Sequence, residues 1–156
     1  MSSVASRLSE LGLQLPPVPA PVAAYVPAVR LGPLVFTSGQ LPMISGELQY
    51  RGSLGAELST EEGYQAARIA ALNALAAAAA QVGGIEHIER ILKVTGYVRS
   101  AAGFQGQAQV MNGASDLLAS VFSEAGTHAR SAVGVAELPL GSAVEVELIV
   151  VSDQRG

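Results

Sequence analysis

The segment from Ser59 to Gly84 restricts the fold more than any other. Ser59 with Glu62 makes a capping box, in which each side chain satisfies a backbone N–H the helix leaves orphaned. Tyr64, Arg68, Ala71, Leu72, Leu75, Ala79 and Val82 then recur at helical spacing, and Gly83-Gly84 supplies a stop. Alanine favours helix and adds little bulk, so a helix this rich in it can lie close against a sheet. The chain must therefore supply a sheet for it to cover.

The flanking segments supply one. Tyr25 to Leu31 and Leu34 to Thr37 read as strands separated by the turn pair Gly32-Pro33, and Ser38-Gly39-Gln40 ends the second. Gly46 to Ser53 is a weaker third strand. Arg90 to Val98 is a strand with Leu92, Val94, Gly96 and Val98 on one face and Ile91, Lys93, Thr95 and Tyr97 on the other. A second helix runs from about Gln107 to Ala125, with Val110, Ala114, Leu117, Val121 and Phe122 as its apolar stripe and Gly126 as its stop. Arg130 to Ala136 and Val144 to Val151 are two more strands, joined by a loop whose length suits an antiparallel hairpin. The order predicts a mixed sheet with both helices on one face. The strands are apolar on both sides, so the opposite face needs a cover as well, and a second subunit is the expected one. Residues 1–22 read as an arm: a short helix over Ser6 to Leu15, with Leu8, Leu11 and Leu15 on one side, then Pro16, Pro17, Pro19 and Pro21. Residues 23–156 form the domain proper.

Composition narrows the function classes. Hydrophobic residues make up 49% of the 156 and charged residues 14%, a surplus of apolar surface that points to a subunit interface. A membrane span needs about 20 consecutive apolar residues. The best run, Ile69 to Ala80, is mostly alanine and carries Asn73, so no membrane partner is expected. The net charge is -4, and the nine basic residues are scattered, without the basic stripe that neutralises phosphates; nucleic acid is not an expected partner. There is no cysteine, which excludes disulfides, a thiolate nucleophile and zinc–thiolate sites. The N-terminal segment lacks the pattern of a secretory signal, so a cytoplasmic location is the expectation.

Arg130 opens an apolar strand beside the small residues Ala132 and Gly134, which share its face and leave room for a ligand next to the guanidinium. That fork of donors suits a carboxylate. Position alone favours a plainer reading, a salt bridge to Glu124 or Glu145. Glu145 and Glu147 share a strand face inside an apolar segment, where two acids are costly unless paired, hydrated or protonated. Either one of them orients a water, or both belong to a solvated stripe or a water-filled channel. Gly39 could present a backbone N–H to a ligand or simply end a strand, and Tyr25 could offer its hydroxyl or sit in the core. His87 and His128 lack acids at metal-binding spacing and read as surface residues, so no metal is expected. Ser38, Ser115 and Ser131 lack the partners of a hydrolase triad.

In this order, Thr37-Ser38-Gly39-Gln40-Leu41-Pro42, Arg130-Ser131-Ala132-Val133, Leu138-Pro139 and Val144-Glu145-Val146-Glu147 resemble the RidA/YjgF family of reactive-intermediate deaminases, also labelled L-PSP endoribonucleases. The resemblance runs from Tyr25 to Val151. Ala71-Leu72-Asn73-Ala74-Leu75 also fits, whereas the arm and Asn112-Gly113-Ala114-Ser115-Asp116 look like a longer branch of the family. It implies an α+β, chorismate-mutase-like fold and a homotrimer with clefts between subunits. It further implies hydrolysis of 2-imino or 2-enamino acids to 2-keto acids and ammonia without metal or cofactor. By that resemblance Arg130 would grip the substrate carboxylate, Glu145 would position the water, the Gly39 backbone would hold the ligand, and Tyr25 and Ser38 would line the cleft. Two positions depart from the family pattern. Ala132 stands where its deaminases commonly carry cysteine. The asparagine often found in the second helix falls on Ser115, or with a shifted alignment on Asn112. The alternatives to an imine deaminase are a trimer that binds a keto acid without turnover and, against the acidic pI of about 5.1, a ribonuclease.

Overall fold

The computed structural model describes residues 2–21 and 23–154; Met1 and Val22, both within the expected arm, lie outside them. The arm begins with α1 (Val4–Glu10), capped by the Ser3 side chain, which accepts from the Ser6 N–H. The helix is shorter than the leucine spacing predicts. Gly12 takes the left-handed conformation (φ 71). The N–H groups of Gly12 and Leu13 then turn back onto the Ser9 and Leu8 carbonyls at 2.8 and 3.1 Å, a helix-ending motif that needs glycine's conformational freedom. Leu8 is buried, Leu13 and Leu15 pack against the core, and Leu11 is left outside.

The main sheet has five strands in the order β1-β2-β7-β5-β6. They are β1 (Ala28–Leu31), β2 (Leu34–Thr37), β5 (Ile88–Arg99), β6 (Ala129–Val135) and β7 (Val144–Ser152). The first strand starts three residues later than its composition suggests, because Pro27 has no N–H to give a ladder. In place of the weak third strand there is a two-residue ribbon, β3 (Met43–Ile44) with β4 (Glu47–Leu48). Helices α2 (Thr60–Val82) and α3 (Gln107–Phe122) pack on each other and on one face of the sheet, so the mixed-sheet α+β architecture is the one expected. The capping box of Ser59 and Glu62 is present, and Gly83 ends α2 in the left-handed region. All five residues of the expected α3 stripe are buried.

Two further expectations fail. The strands β6 and β7 do not form a hairpin: β5 lies between them, parallel to β6 and antiparallel to β7. The α3 crossover carries the chain from β5 back to a parallel neighbour, so the following loop must pass the end of β5 to reach its other side. The face assignment in β5 also fails in its first half. Ile91 is buried and Leu92 is not, because register shifts near Arg90 and Leu92 break the strict alternation. From Val94 onward the parity is as expected.

In β7 alternate residues Val144, Val146, Leu148 and Val150 are fully packed under the helices. The other face is open to solvent and largely apolar at the β1–β2 end, where Val29 is 54% and Leu31 76% exposed. Toward β5 and β6 it carries Tyr97, Glu145 and Glu147.

Candidate functional site

The first cluster forms where the β2–β7 ladder is interrupted. Phe36 pairs with Ile149, but the next paired residue is Gln40, with Val146, one residue more on this side than on the other. The Thr37 hydroxyl oxygen fills the gap by accepting from the Leu148 N–H at 2.9 Å. Ser38 and Gly39 bulge outward, and such bulges re-aim neighbouring groups. The Ser38 hydroxyl donates to the Val26 carbonyl at 2.6 Å and its N–H to Pro27 at 2.8 Å, so this side chain is committed to anchoring the incoming chain. Gly39 comes to lie against the Glu145 side chain, where a methyl group would stand 2.7 Å from the carboxylate carbon.

The two acids on this face differ in their surroundings. Glu147 accepts from the Tyr97 hydroxyl at 3.1 Å. Among the described residues no donor reaches Glu145. Its partial burial, and secondarily the negative charge of Glu147, push the Glu145 carboxyl above the usual carboxylate range. A carboxylate without a protein donor, its hold on a proton strengthened, is suited to hold a water and exchange a proton with it. The Tyr97 hydroxyl is also raised, by burial first and then by Glu147.

The second cluster is on the other face of the sheet. Arg130 lies beside Val94 on edge strand β6, on the side that carries α3. Its Nη1 donates to the Asn112 Oδ1 at 2.9 Å and to the Ser115 Oγ at 3.1 Å. Asn112 and Ser115 are three apart in α3, hence on one helix face, and both alignments considered for the family's asparagine converge on the same guanidinium. Ser115 Oγ also lies 2.9 Å from Nε2 of His128, whose Nδ1 is 2.6 Å from the Gly126 carbonyl. That carbonyl can only accept, so Nδ1 carries the proton, and in the neutral ring Nε2 accepts from the Ser115 hydroxyl. The hydroxyl's lone pairs are thereby turned to Arg130. His128 is thus part of a polar chain behind the arginine, not a surface residue. The salt bridge suggested by position alone is absent: both Arg130 partners are neutral, and among the described residues Nε and Nη2 bond to nothing. Ala132, two residues on, shares this face and packs partly against the core.

Tyr25 is 63% exposed and, with Gly39, Gln40, Leu41 and Leu140, lines a cavity of about 270 Å3. One chain therefore brings Tyr25, Ser38, Gly39 and Glu145 together in one place, and Arg130, Ser115 and Ala132 in another. Among the described residues no group of three or more His, Asp or Glu side chains could hold a metal ion, and no helix is long and apolar enough to cross a membrane.

The fold and its two clusters define a class: a small α+β chain with helices on one sheet face and an uncompensated arginine on an edge strand. Residues 5–151 match the model of the YjgF/chorismate mutase-like family, which carries a provisional endoribonuclease label; the chain belongs to this family. It is 45% identical over 148 residues to Protein TCP17 of Trypanosoma cruzi, covering 94% of this chain and 92% of that one. A solved structure of a protein of unknown function from Agrobacterium tumefaciens has a TM-score of 0.89 at 42% identity, covering 96% of this chain and 92% of the other. A match that extensive leaves only about six residues out, so it takes in most of the arm. Escherichia coli TdcF, solved with bound serine, is similar at 26% identity and a TM-score of 0.62, over 87% of this chain and 94% of its own.

Proposed function

We propose that this protein hydrolyses small 2-imino and 2-enamino acids to 2-keto acids and ammonia, in clefts between the subunits of a homotrimer. The observation that carries the reading is the state of Arg130: one nitrogen is pinned by two neutral acceptors, and the rest of the fork keeps its full charge for an anion. A carboxylate meeting that fork gains charge-assisted, directional bonds. The bound serine in TdcF is a ligand with such a carboxylate.

Glu145 supplies the other half. A water on its carboxylate adds to the imine carbon, and the electron pair of the C=N bond moves to nitrogen, which takes up a proton. Glu145 accepts the water's first proton and passes it to that nitrogen, giving the carbinolamine; it then takes the hydroxyl proton and delivers it to nitrogen as the C–N bond breaks. Ammonia leaves, and the water oxygen remains as the keto group. An enamine enters the same path once its carbon is protonated. Because an imine is already electrophilic, orientation and one proton carrier are the main demands.

Arg130 and Glu145 occupy opposite faces of one sheet, so a site using both needs two copies. The apolar open face and the unpaired outer edge of β6 support such an assembly. A carboxylate-binding trimer without turnover is the second reading, favoured by Ala132 in the position where the family's deaminases commonly carry cysteine.

The test generates 2-iminopropionate in situ and follows pyruvate release. Acceleration by the native chain is expected, with loss of most of it in Arg130→Ala and Glu145→Gln while the native assembly persists. Pyruvate binding without acceleration over a range of imines would establish the second reading in its place.

A further inference from the structure

Between its two anchors the described residues of the arm touch the body without backbone bonds. Its near end is held by α1, with Leu8, Leu13 and Leu15 packed on the core, and its far end by the Ser38 bonds to Val26 and Pro27. From Gln14 to Tyr25 no backbone hydrogen bond is made among the described residues. A stretch that contains Pro16, Pro17, Pro19 and Pro21 keeps an extended shape without such bonds and loses little entropy in doing so. The result is an arch with space beneath it.

That space has two chambers. The inner one, nearer Glu145, is the cavity of about 270 Å3 lined in part by Gly39, the residue lying against the Glu145 side chain. The outer one, about 300 Å3, is bounded by Pro16, Pro17 and Val18 of the arm and by Ser45, Gly46 and Asn73 of the body. Pro19, Gln40 and Met43 line both, so the chambers are neighbours along the arm. Asn73 donates its two amide protons to the Leu41 and Met43 carbonyls, each at 3.0 Å, and so fixes the floor to α2. The walls are mostly apolar with a few polar groups, the usual make-up of a small-molecule site.

We infer that the chambers under the proline arch form a side-chain pocket that makes the protein select 2-imino acids with a large apolar side chain, branched aliphatic or aromatic, over the alanine-derived imine. The reacting carbon would sit beside Glu145 and the side chain would extend beneath Pro19 and Met43. The reaction rests on the deaminase reading above; the ligand preference does not, since a keto acid of the same side chain fits the same space.

Two measurements keep these apart. The first compares kcat/KM for imines generated in situ from leucine, phenylalanine and alanine. One methylene in an apolar pocket separates substrates by roughly tenfold or more, so the leucine-derived imine should lead the alanine-derived one by at least about tenfold. The second measures binding of 4-methyl-2-oxopentanoate and pyruvate to the native protein by calorimetry, and the same preference is expected. Val18→Trp, which fills the outer chamber from the arm, and Ala20→Phe, which narrows the inner one, should each reduce both preferences toward one. Both side chains lie on the arch, so the core is untouched. Turnover with equal or reversed preference, unmoved by either variant, overturns the pocket and leaves the deaminase standing. Preferential keto-acid binding, lost in the variants but accompanied by no turnover of any imine, overturns the deaminase and leaves the pocket. Equal binding of the two keto acids without turnover overturns both.

Discussion

Adding one methyl group at Gly39 tests the catalytic cluster more sharply than deleting a side chain. The Cβ of Gly39→Ala would lie 2.7 Å from the Glu145 carboxylate carbon and 2.9 Å from its Cγ, against about 3.4 Å for ordinary contact. The backbone of Gly39 is not in the left-handed region, so alanine itself is tolerated there. The strain falls on Glu145, whose carboxylate carbon must retreat by about 0.7 Å and whose Oε1 must retreat further. Driving one side chain off its rotamer costs about 0.5–1.5 kcal/mol. In a chain of this size that lowers Tm by about 1–6 °C. The chemical consequence is larger, because displacement of a reacting group by about 1 Å can cost on the order of 100-fold in rate. Gly39→Ala should therefore lose about two orders of magnitude in kcat/KM for imine hydrolysis at a temperature where it is fully folded. Glu145→Gln supplies the control: in that background Gly39→Ala should cost little further, since the group it displaces no longer exchanges a proton. Full activity in folded Gly39→Ala, or an equal loss in the two backgrounds, would refute the placement of the water on Glu145. Gly96→Ala gives the opposite pattern. Its Cβ would strike the side chain of Met111, which is fully buried between sheet and α3, so the cost of about 1–3 kcal/mol should appear in thermal stability.

Three further outcomes follow from the same geometry. Glu145 has a raised folded-state pKa, so the folded chain holds its proton more tightly than the unfolded chain does, and stability falls as pH rises from about 4.5 through the folded value. Glu145→Gln removes that penalty; its thermal midpoint should exceed the native one at pH 7, with the difference shrinking toward pH 4, as followed by circular dichroism. Ser115→Ala takes one acceptor from Arg130 and leaves Asn112, which should raise KM several-fold with a smaller change in kcat, consistent with about 0.5–1.5 kcal/mol for one hydrogen bond. Ser59→Ala removes the hydroxyl that accepts from the Glu62 N–H at the start of α2, while the backbone N–H at this position can still donate to the Glu62 carboxylate; it should cost about 1 kcal/mol in denaturant titrations, with activity unchanged.

Much of the architecture was legible because periodicity reports a physical constraint directly. The capping box, the Gly83 stop and the buried stripe of α3 each follow from bonds or contacts within a few residues. What failed depended on contacts that local spacing does not encode. The β5 alternation was misread at Ile91 because register shifts reverse the parity without altering composition. The hairpin expected of β6 and β7 was suggested by loop length alone, which cannot say that a third strand lies between them. His128 was passed over for the same reason: its partner Ser115 belongs to α3, and only the packing of that helix over β6 brings the pair to Arg130.

The separation of Arg130 from Glu145 has a consequence for how activity can be lost. Both groups stand on the sheet, which is stiff, so no rearrangement within one chain that keeps β5 between β6 and β7 brings them to the same side. If the site is shared between copies, two inactive variants must complement each other. Mixed oligomers of Arg130→Ala and Glu145→Gln contain interfaces with one intact Arg130 and one intact Glu145, and these should recover a substantial fraction of native turnover after co-refolding. A site contained in one chain predicts none, whatever the mixing ratio. Recovery would thus be evidence for the shared cleft that no single variant can give, and its absence from demonstrably mixed oligomers would confine the carboxylate grip and the water to separate roles.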